Sequence, residues 1–214
     1  MKFVCLSDTH RHRDIEIPSG DVLLYAGDDD INDTHNLINF TRFIKKMKFK
    51  HYIMIAGNHD FLFEQQSFAR EYLLENDIIY LQDQFIVVDG IKIYGTPYTP
   101  TFYNWAFMED ESKLQNRFDS ISNDIDVLIT HGPARGYLDK VKDDSDNLGS
   151  TSLTNKISHL KNLKYHVFGH IHGGYGMMIP HYNNNYPVRV NCSICNEAYQ
   201  PVNKPIILEV NKSV

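Results

Sequence analysis

The 214-residue sequence has no long apolar run. Its longest, such as Val22–Ala26 and Ile53–Ala56, are strand-sized, far below the ~18 residues of a membrane span. Met1–Leu6 starts like a secretory leader, but polar Ser7, Asp8 and His10 follow at once, so it reads as a first strand. Cysteine is scarce: three residues, an odd number, make no disulfide framework in a chain this size. Cys192 and Cys195 form one C-x-x-C with no second pair for a zinc knuckle and no helix pattern after it for thioredoxin chemistry, so they read as structural. Cys5 lies in an apolar run and reads as a small buried hydrophobe, and a reducing, cytoplasmic setting fits all three. Basic residues are not in excess either. Lys plus Arg is 21 against 27 Asp plus Glu, a net charge of −6, which argues against a protein built mainly to grip nucleic acid or an anionic membrane. Repeats, low-complexity tracts and linkers are missing, so a single domain over residues 1–214 is expected.

What is there is an alternation of short β-rich runs and helical patterns. Lys2–Leu6, Val22–Ala26 and Tyr52–Ala56 read as strands. Between the last two, Leu37, Ile38, Phe40, Phe43, Ile44 and Met47 recur at helical spacing within Asp33–Met47, where Asp33 or Thr34 can cap the start. Phe61–Asn76 repeats the helical pattern. Ile78–Leu81, Phe85–Val88 and Ile91–Tyr94 follow as shorter strands, with Asp89-Gly90 as a hairpin turn. The second half opens with an aromatic loop, Thr96–Phe107, and a helix at Asp110–Ser120. Then come a strand at Val127–Thr130, a helix at Thr151–Leu163 and strands at His166–Phe168, Met177–Pro180, Val188–Asn191 and Ile206–Val210. This order predicts a layered α/β fold with two halves of similar plan.

Five of these strands end in residues that ligate metals. Asp8-Thr9-His10 follows the first strand, Gly27-Asp28 the second and Gly57-Asn58-His59-Asp60 the third. His131-Gly132 follows Val127–Thr130, and Gly169-His170-Ile171-His172 follows His166–Phe168. Open α/β sheets place their ligand crevices at such C-terminal strand ends. In an extended segment, D-x-H and H-x-H present both side chains on one side, so both point into one crevice. Imidazole, carboxylate and amide donors without thiolate suit divalent manganese, iron, zinc, nickel or cobalt. Asp8, His10, Asp28, Asn58, His131, His170 and His172 are too many for one tetrahedral site, and they fit two ions sharing a carboxylate.

The motif order D-x-H, G-D, G-N-H-D, H, G-H-x-H resembles the calcineurin-like metallophosphoesterases, over about Phe3 to Val210. Within that superfamily the chain is similar to the metallophosphoesterase-domain-containing branch. The matching stretches are SDTH at Ser7, GDVLLYAGD from Gly20, AGNHD from Ala56, GTPYTPTFYNWAF from Gly95, ITHGPARGYLD from Ile129, VFGHIHGGYG from Val167 and NCS at Asn191. The resemblance implies a four-layer sandwich of two mixed β-sheets flanked by helices. It implies one ion on Asp8, His10, Asp28 and His172, and a second, manganese foremost among the candidates, on the bridging Asp28 with Asn58, His131 and His170. His59 would then stand near the leaving group as a catalytic residue, with Asp60 beside it able to hold and charge its imidazole. The implied activity is hydrolysis of a small phosphodiester, cyclic nucleotides among the substrates, with a metal-bridging hydroxide as nucleophile. Two divalent ions, less Asp8, Asp28 and that hydroxide, leave the site positive enough to attract phosphate in an acidic chain.

Departures and bland readings complete the picture. After Gly27-Asp28 the chain continues Asp29-Asp30-Ile31-Asn32 without the arginine of G-D-x-x-D-R-G, which counts against a phosphoprotein phosphatase. Asp29 and Asp30 read as turn or helix-start residues. His12, His35, His51, His159, His166 and His181 lack ligand spacing and read as surface or packing residues. Lys45, Lys46, Lys48 and Lys50 read as the solvated face of a helix. Arg11 and Arg13, which follow His10 closely, are candidate phosphate contacts. The aromatic-loop group Tyr98, Phe102, Tyr103, Trp105 and Phe107 reads as a folded loop core, with nucleobase stacking, Tyr98 and Trp105 foremost, as the alternative. Three rivals stand beside the diesterase: a phosphomonoesterase, a nuclease, which the lack of a broad basic stripe disfavours, and a scaffold without turnover, which the complete ligand set disfavours.

Overall fold

The structure is a computed structural model, and it describes residues 1–141, 146–180 and 186–211. Its first sheet contains β1 (Lys2–Leu6), β2 (Val22–Ala26), β3 (His51–Ile55) and β4 (Ile78–Tyr80) as parallel neighbours in that order, with β13 (Ile206–Glu209) antiparallel on the outer side of β1. The second sheet has a parallel centre of β6 (Ile91–Thr96), β9 (Val127–Thr130), β10 (Tyr165–Phe168) and β12 (Val188–Asn191). Its antiparallel edges are β5 (Gln84–Val88), paired with β6, and β11 (Gly176–Met178), paired with β12. A small pair, β7 (Thr99–Pro100) and β8 (Met108–Glu109), lies within and beyond the aromatic loop.

The layering follows from strand alternation. Phe3 and Cys5 of β1, Val22 and Leu24 of β2 and Ile53 and Ile55 of β3 share one buried cluster with Ile93, Val127, Ile129, Val167 and Val190 of the second sheet. The alternate residues, Val4, Leu6, Leu23, Tyr25 and Met54, pack outward against α1 (Thr34–Lys45), α2 (Phe61–Gln65) and α3 (Phe68–Glu75). Tyr94 and Leu128 pack outward from the second sheet against α4 (Glu111–Asp119) and α5 (Thr151–His159). Successive side chains of a strand face opposite ways, so one sequence serves both layers. The result is the expected mixed α/β sandwich, helix–sheet–sheet–helix.

Three helices have the side-chain caps their sequences offer. Asp33 accepts from Asn36 N, Asp110 from Lys113 N, and Ser150 from Leu153 N. The helix expected over Phe61–Asn76 is two, broken at Gln66 and Ser67. Glu64 turns away to accept from Phe107 N at 2.9 Å, and Arg70 donates to Phe63 O at 3.1 Å, satisfying a carbonyl of α2. The helix expected over Thr151–Leu163 stops at His159, and Leu160 to Leu163 continue as a turn.

Candidate metal centre

Both sheets deliver their parallel strands' C-terminal ends to one place, where a parallel bridge joins Ser7 after β1 to Ser193 after β12. The backbone there is bent into the left-handed region. Asp8 has φ 51°, His10 42°, Asp28 64° and His170 67°. This conformation is uncommon for any residue with a Cβ, and aspartate and histidine are among those that enter it most readily. The expectation of extended D-x-H and H-x-H segments is thereby corrected: convergence comes from left-handed turns, not from strand alternation. Neighbouring turns hold the strain. Asp8 N donates to Gly27 O at 2.8 Å, and His10 N to Asp28 O at 3.2 Å. Asp60 fastens the loops after β2 and β3, accepting from the N–H groups of Gly57, Asp28, Asp29 and Ile31 at 2.8, 2.8, 3.1 and 2.9 Å.

Two glycines leave room for the carboxylates. A Cβ on Gly57 would lie 2.1 Å from Asp28 Oδ1, and one on Gly169 would lie 2.0 Å from Asp8 Oδ2. Only hydrogen at those positions allows the acids to stand where they do.

Among the described residues three groups have candidate ligand atoms within 4.8 Å of one another: Asp8, His10 and His172; Asp28, His131 and His170; and, toward the rim, His10, Asp30 and His59. In the first, Nε2 of His10 and Nε2 of His172 are 3.4 Å apart, and His172 Nε2 is 3.3 Å from Asp8 Oδ1. In the second, His131 Nε2 lies 3.3 Å from Asp28 Oδ2 and 2.8 Å from Asn58 Oδ1. The opposite ring nitrogens are anchored: His10 Nδ1 at Asp30 Oδ1 (3.0 Å), His131 Nδ1 at Ala26 O (2.9 Å) and His172 Nδ1 at Asn196 O (2.9 Å). An imidazole with Nδ1–H bonded outward presents the lone pair of Nε2 inward, the tautomer a metal ligand needs. Asp8 is braced by hydroxyls of Ser7 (2.5 Å) and Ser193 (2.9 Å).

The sequence model of the calcineurin-like phosphoesterase family matches residues 1–174. This chain belongs to that family. Human metallophosphoesterase domain-containing protein 1 is 36% identical over 236 residues, spanning 98% of this chain and 71% of its own length. A UPF0046 protein of Caenorhabditis elegans is 34% identical over 245 residues, spanning 98% of this chain and 60% of its own. A crystal structure at 16% identity superposes with a TM-score of 0.63 over 89% of both chains, a likeness of fold.

The residues of this phosphoesterase fit divalent metal. Asn58 Nδ2 is buried without a hydrogen-bond partner while its Oδ1 faces the site, an orientation that suits an oxygen donor to a cation. The charges agree. Although burial opposes it, hydrogen bonding and charge from His172, with His131 beyond, bring Asp8 down to about 2. Burial likewise opposes ionisation of Asp28, yet His131 holds it well below the ordinary carboxylate range. Against its own burial, His131 is raised to about 9 by Asp28 and Asp8. His170 is lowered to about 3 by burial and by the neighbouring His131. Two buried carboxylates that stay ionised need cations close by, whether protonated imidazoles or metals.

The remaining expected site residues divide. His59 sits at the rim, its N–H on Asp28 Oδ1 at 2.8 Å and its ring 4.9 Å from that of Trp105. Asp60 does not reach the His59 imidazole, because its oxygens are taken by the four backbone groups; the carboxylate facing His59 is Asp30. Arg11 is exposed, its Nε 3.4 Å from Asp30 Oδ2. Tyr98 is packing: it lies edge-on to Phe107 and under the Arg117 guanidinium at 3.4 Å. His181 lies outside the described residues. Sequence reasoning missed Tyr199, whose ring centroid is 4.6 Å from His10 and 5.3 Å from His172. A lone tyrosine in a polar tail carries no motif; only its φ of 57°, invisible in sequence, marks the turn that brings it in. The NCS stretch gains a role through Ser193 and Asn191, which bond each other while Ser193 bonds Asp8. Among the described residues no helix is long and apolar enough to cross a membrane.

Proposed function

We propose that this domain hydrolyses a small phosphodiester with two divalent ions, manganese foremost, and that a nucleotide-type diester is the substrate. The observation that carries the reading is the pair of abutting ligand groups, with three of the four imidazoles, those of His10, His131 and His172, set by outer hydrogen bonds. One ion would be held by Asp8, His10, Asp28 and His172, the other by Asp28, Asn58, His131 and His170. Bound there, the ions would acidify water and neutralise the phosphoryl oxygens. Donors that are nitrogen and oxygen without thiolate support a catalytic first-row divalent ion over a cysteine-rich structural zinc site.

His59 is read as the proton donor to the departing alkoxide. Its Nδ1 lies 3.7 Å from Asp30 Oδ1, which leaves Nε2 as the ring atom that would pass a proton to that oxygen when the imidazole carries one. Trp105, with exposed Phe102 and Tyr103 against it, offers a stacking face beside His59. The three cysteines are unpaired and buried, which supports a reducing compartment such as the cytoplasm.

The test is metal-reconstituted protein assayed side by side on 2′,3′- and 3′,5′-cyclic nucleotides, a nucleoside monophosphate, bis(p-nitrophenyl) phosphate and single-stranded DNA. Turnover of the cyclic or p-nitrophenyl diesters above the monoester supports the reading. Preference for the monophosphate or for DNA overturns it in favour of a phosphomonoesterase or a nuclease, and no turnover with full metal content in favour of a scaffold.

A further inference from the structure

Asn36, Asn39 and Arg42 of helix α1, with Lys46 capping its end, face Arg11 and Arg13, and together they line an open hollow of about 340 Å³. In a chain with a net charge of −6, four cations and no acid line this hollow. Their engagements differ. The Arg13 guanidinium is taken, with bonds of 2.7 and 2.5 Å to the two oxygens of buried Asp29, and it lies 5.0 Å over the Phe43 ring as part of the floor. Arg11 makes one long contact of 3.4 Å to Asp30 and is 53% exposed. Arg42 and Lys46 have no ion pair among the described residues. Complementing the negative end of α1 does not require them, because Lys45 is already there, 3.6 Å from Asp77 on another face.

The hollow adjoins the metal centre through Arg11. Arg11 follows His10 in the chain, and its Asp30 partner turns the other oxygen to His10 and His59. We infer that this cavity is a subsite for a second phosphate group on the substrate, whose ester lies at the metal centre; the inference rests on the phosphoesterase reading above. The Arg11 and Arg42 guanidinium groups and the Lys46 ammonium match a terminal phosphate, which carries up to two negative charges and accepts several hydrogen bonds, while the Asn39 amide at its edge already bonds His35 at 2.9 Å. A substrate bearing both a diester and a terminal phosphate would be gripped at two points and so oriented.

The experiment measures binding and turnover on the same metal-loaded protein. Calorimetry gives Kd for adenosine 3′,5′-bisphosphate and for adenosine 5′-monophosphate, and bis(p-nitrophenyl) phosphate reports turnover. The wild type should prefer the bisphosphate by ~10-fold or more, as expected when one phosphate gains charge-assisted hydrogen bonds. Arg42→Ala with Lys46→Ala, both exposed, should bring that ratio to about one while leaving turnover of the small diester within about twofold. Equal affinities in the wild type would overturn the subsite. So would a preference that survives the double substitution, or an equal loss from Lys48→Ala with Lys50→Ala, which removes the same charge elsewhere. Wild-type preference without any turnover of bis(p-nitrophenyl) phosphate would uphold the subsite and sink the diesterase reading instead.

Discussion

Oδ1 of Asp30 lies 3.7 Å from Nδ1 of His59, and the same oxygen lies 3.0 Å from Nδ1 of His10. One carboxylate thus orients both His10, a proposed metal ligand, and the histidine at the rim of the site. His59 meets that centre through its backbone N–H on Asp28 and through its ring, edge-on to His10 at 5.2 Å between centroids, and its side chain is the proposed proton donor. His59→Asn should reduce kcat on a cyclic nucleotide by ~10²–10⁴-fold, and far less on a p-nitrophenyl diester, whose phenolate leaves without a proton. Metal content should stay unchanged. Equal losses on the two substrates would show a positioning role and no acid catalysis.

Asp28→Ala should cost both ions, because its carboxylate is the proposed shared ligand, whereas His10→Ala should weaken chiefly the ion beside Asp8 and His172. Elemental analysis of each purified variant checks this. Equal metal loss from the two substitutions would contradict the sharing.

Gly169→Ala tests the space left for Asp8. The added Cβ would lie 2.0 Å from Asp8 Oδ2 and 2.2 Å from Ser7 Oγ, so the carboxylate must move. Metal content should fall from about two ions to about one, with activity lost in parallel. Full metal content and turnover in this variant would mean that the loop relaxes and the glycine is dispensable.

Trp105 and Tyr98 should separate although both belong to the aromatic loop. Trp105→Ala should cost ~1–3 kcal/mol in nucleotide binding and leave the melting temperature nearly unchanged. Tyr98→Ala should lower the melting temperature, because it strips the ring from Phe107 and from the Arg117 guanidinium, and should leave nucleotide preference alone. The reverse pattern would exchange their roles.

His166 makes the fold acid-sensitive. It is buried, with Nε2 2.8 Å from Thr130 Oγ1 and Nδ1 without a partner, and burial, aided by nearby Arg189, holds it well below the ordinary histidine value. Below about 6.5 the unfolded chain binds a proton that the folded chain refuses, so stability falls as pH drops, by up to ~1.4 kcal/mol per unit. Urea unfolding of the wild type and His166→Gln from pH 7.5 to 5 should therefore show a stability difference that narrows toward acid. A constant difference would show that His166 takes up its proton in the folded state.

That the residues proposed as ligands gather at one place was legible in the chain, because each apolar strand ends abruptly in a polar, glycine-bounded motif, and strand ends in a parallel sheet share one edge. The layers were legible too, since β1, β2 and β3 alternate between residues for the helices and residues for the facing sheet. What a side chain does beyond its own motif was not. Asp60 stands next to His59 in sequence yet serves backbone N–H groups of the loops after β2 and β3, while Asp30, from the loop after β2, reaches the imidazole. Tyr98 and Trp105 share a loop, but the chain turns between them, so one packs against α4 through Arg117 and the other meets the site. Tyr199 comes from the far end of the chain to cover His10. Local pattern sets where a strand stops and which residue types stand at its end. Partner choice is a matter of distance across loops, and only the docking of two sheets, with left-handed turns at Asp8, His10, Asp28 and His170, decides those distances.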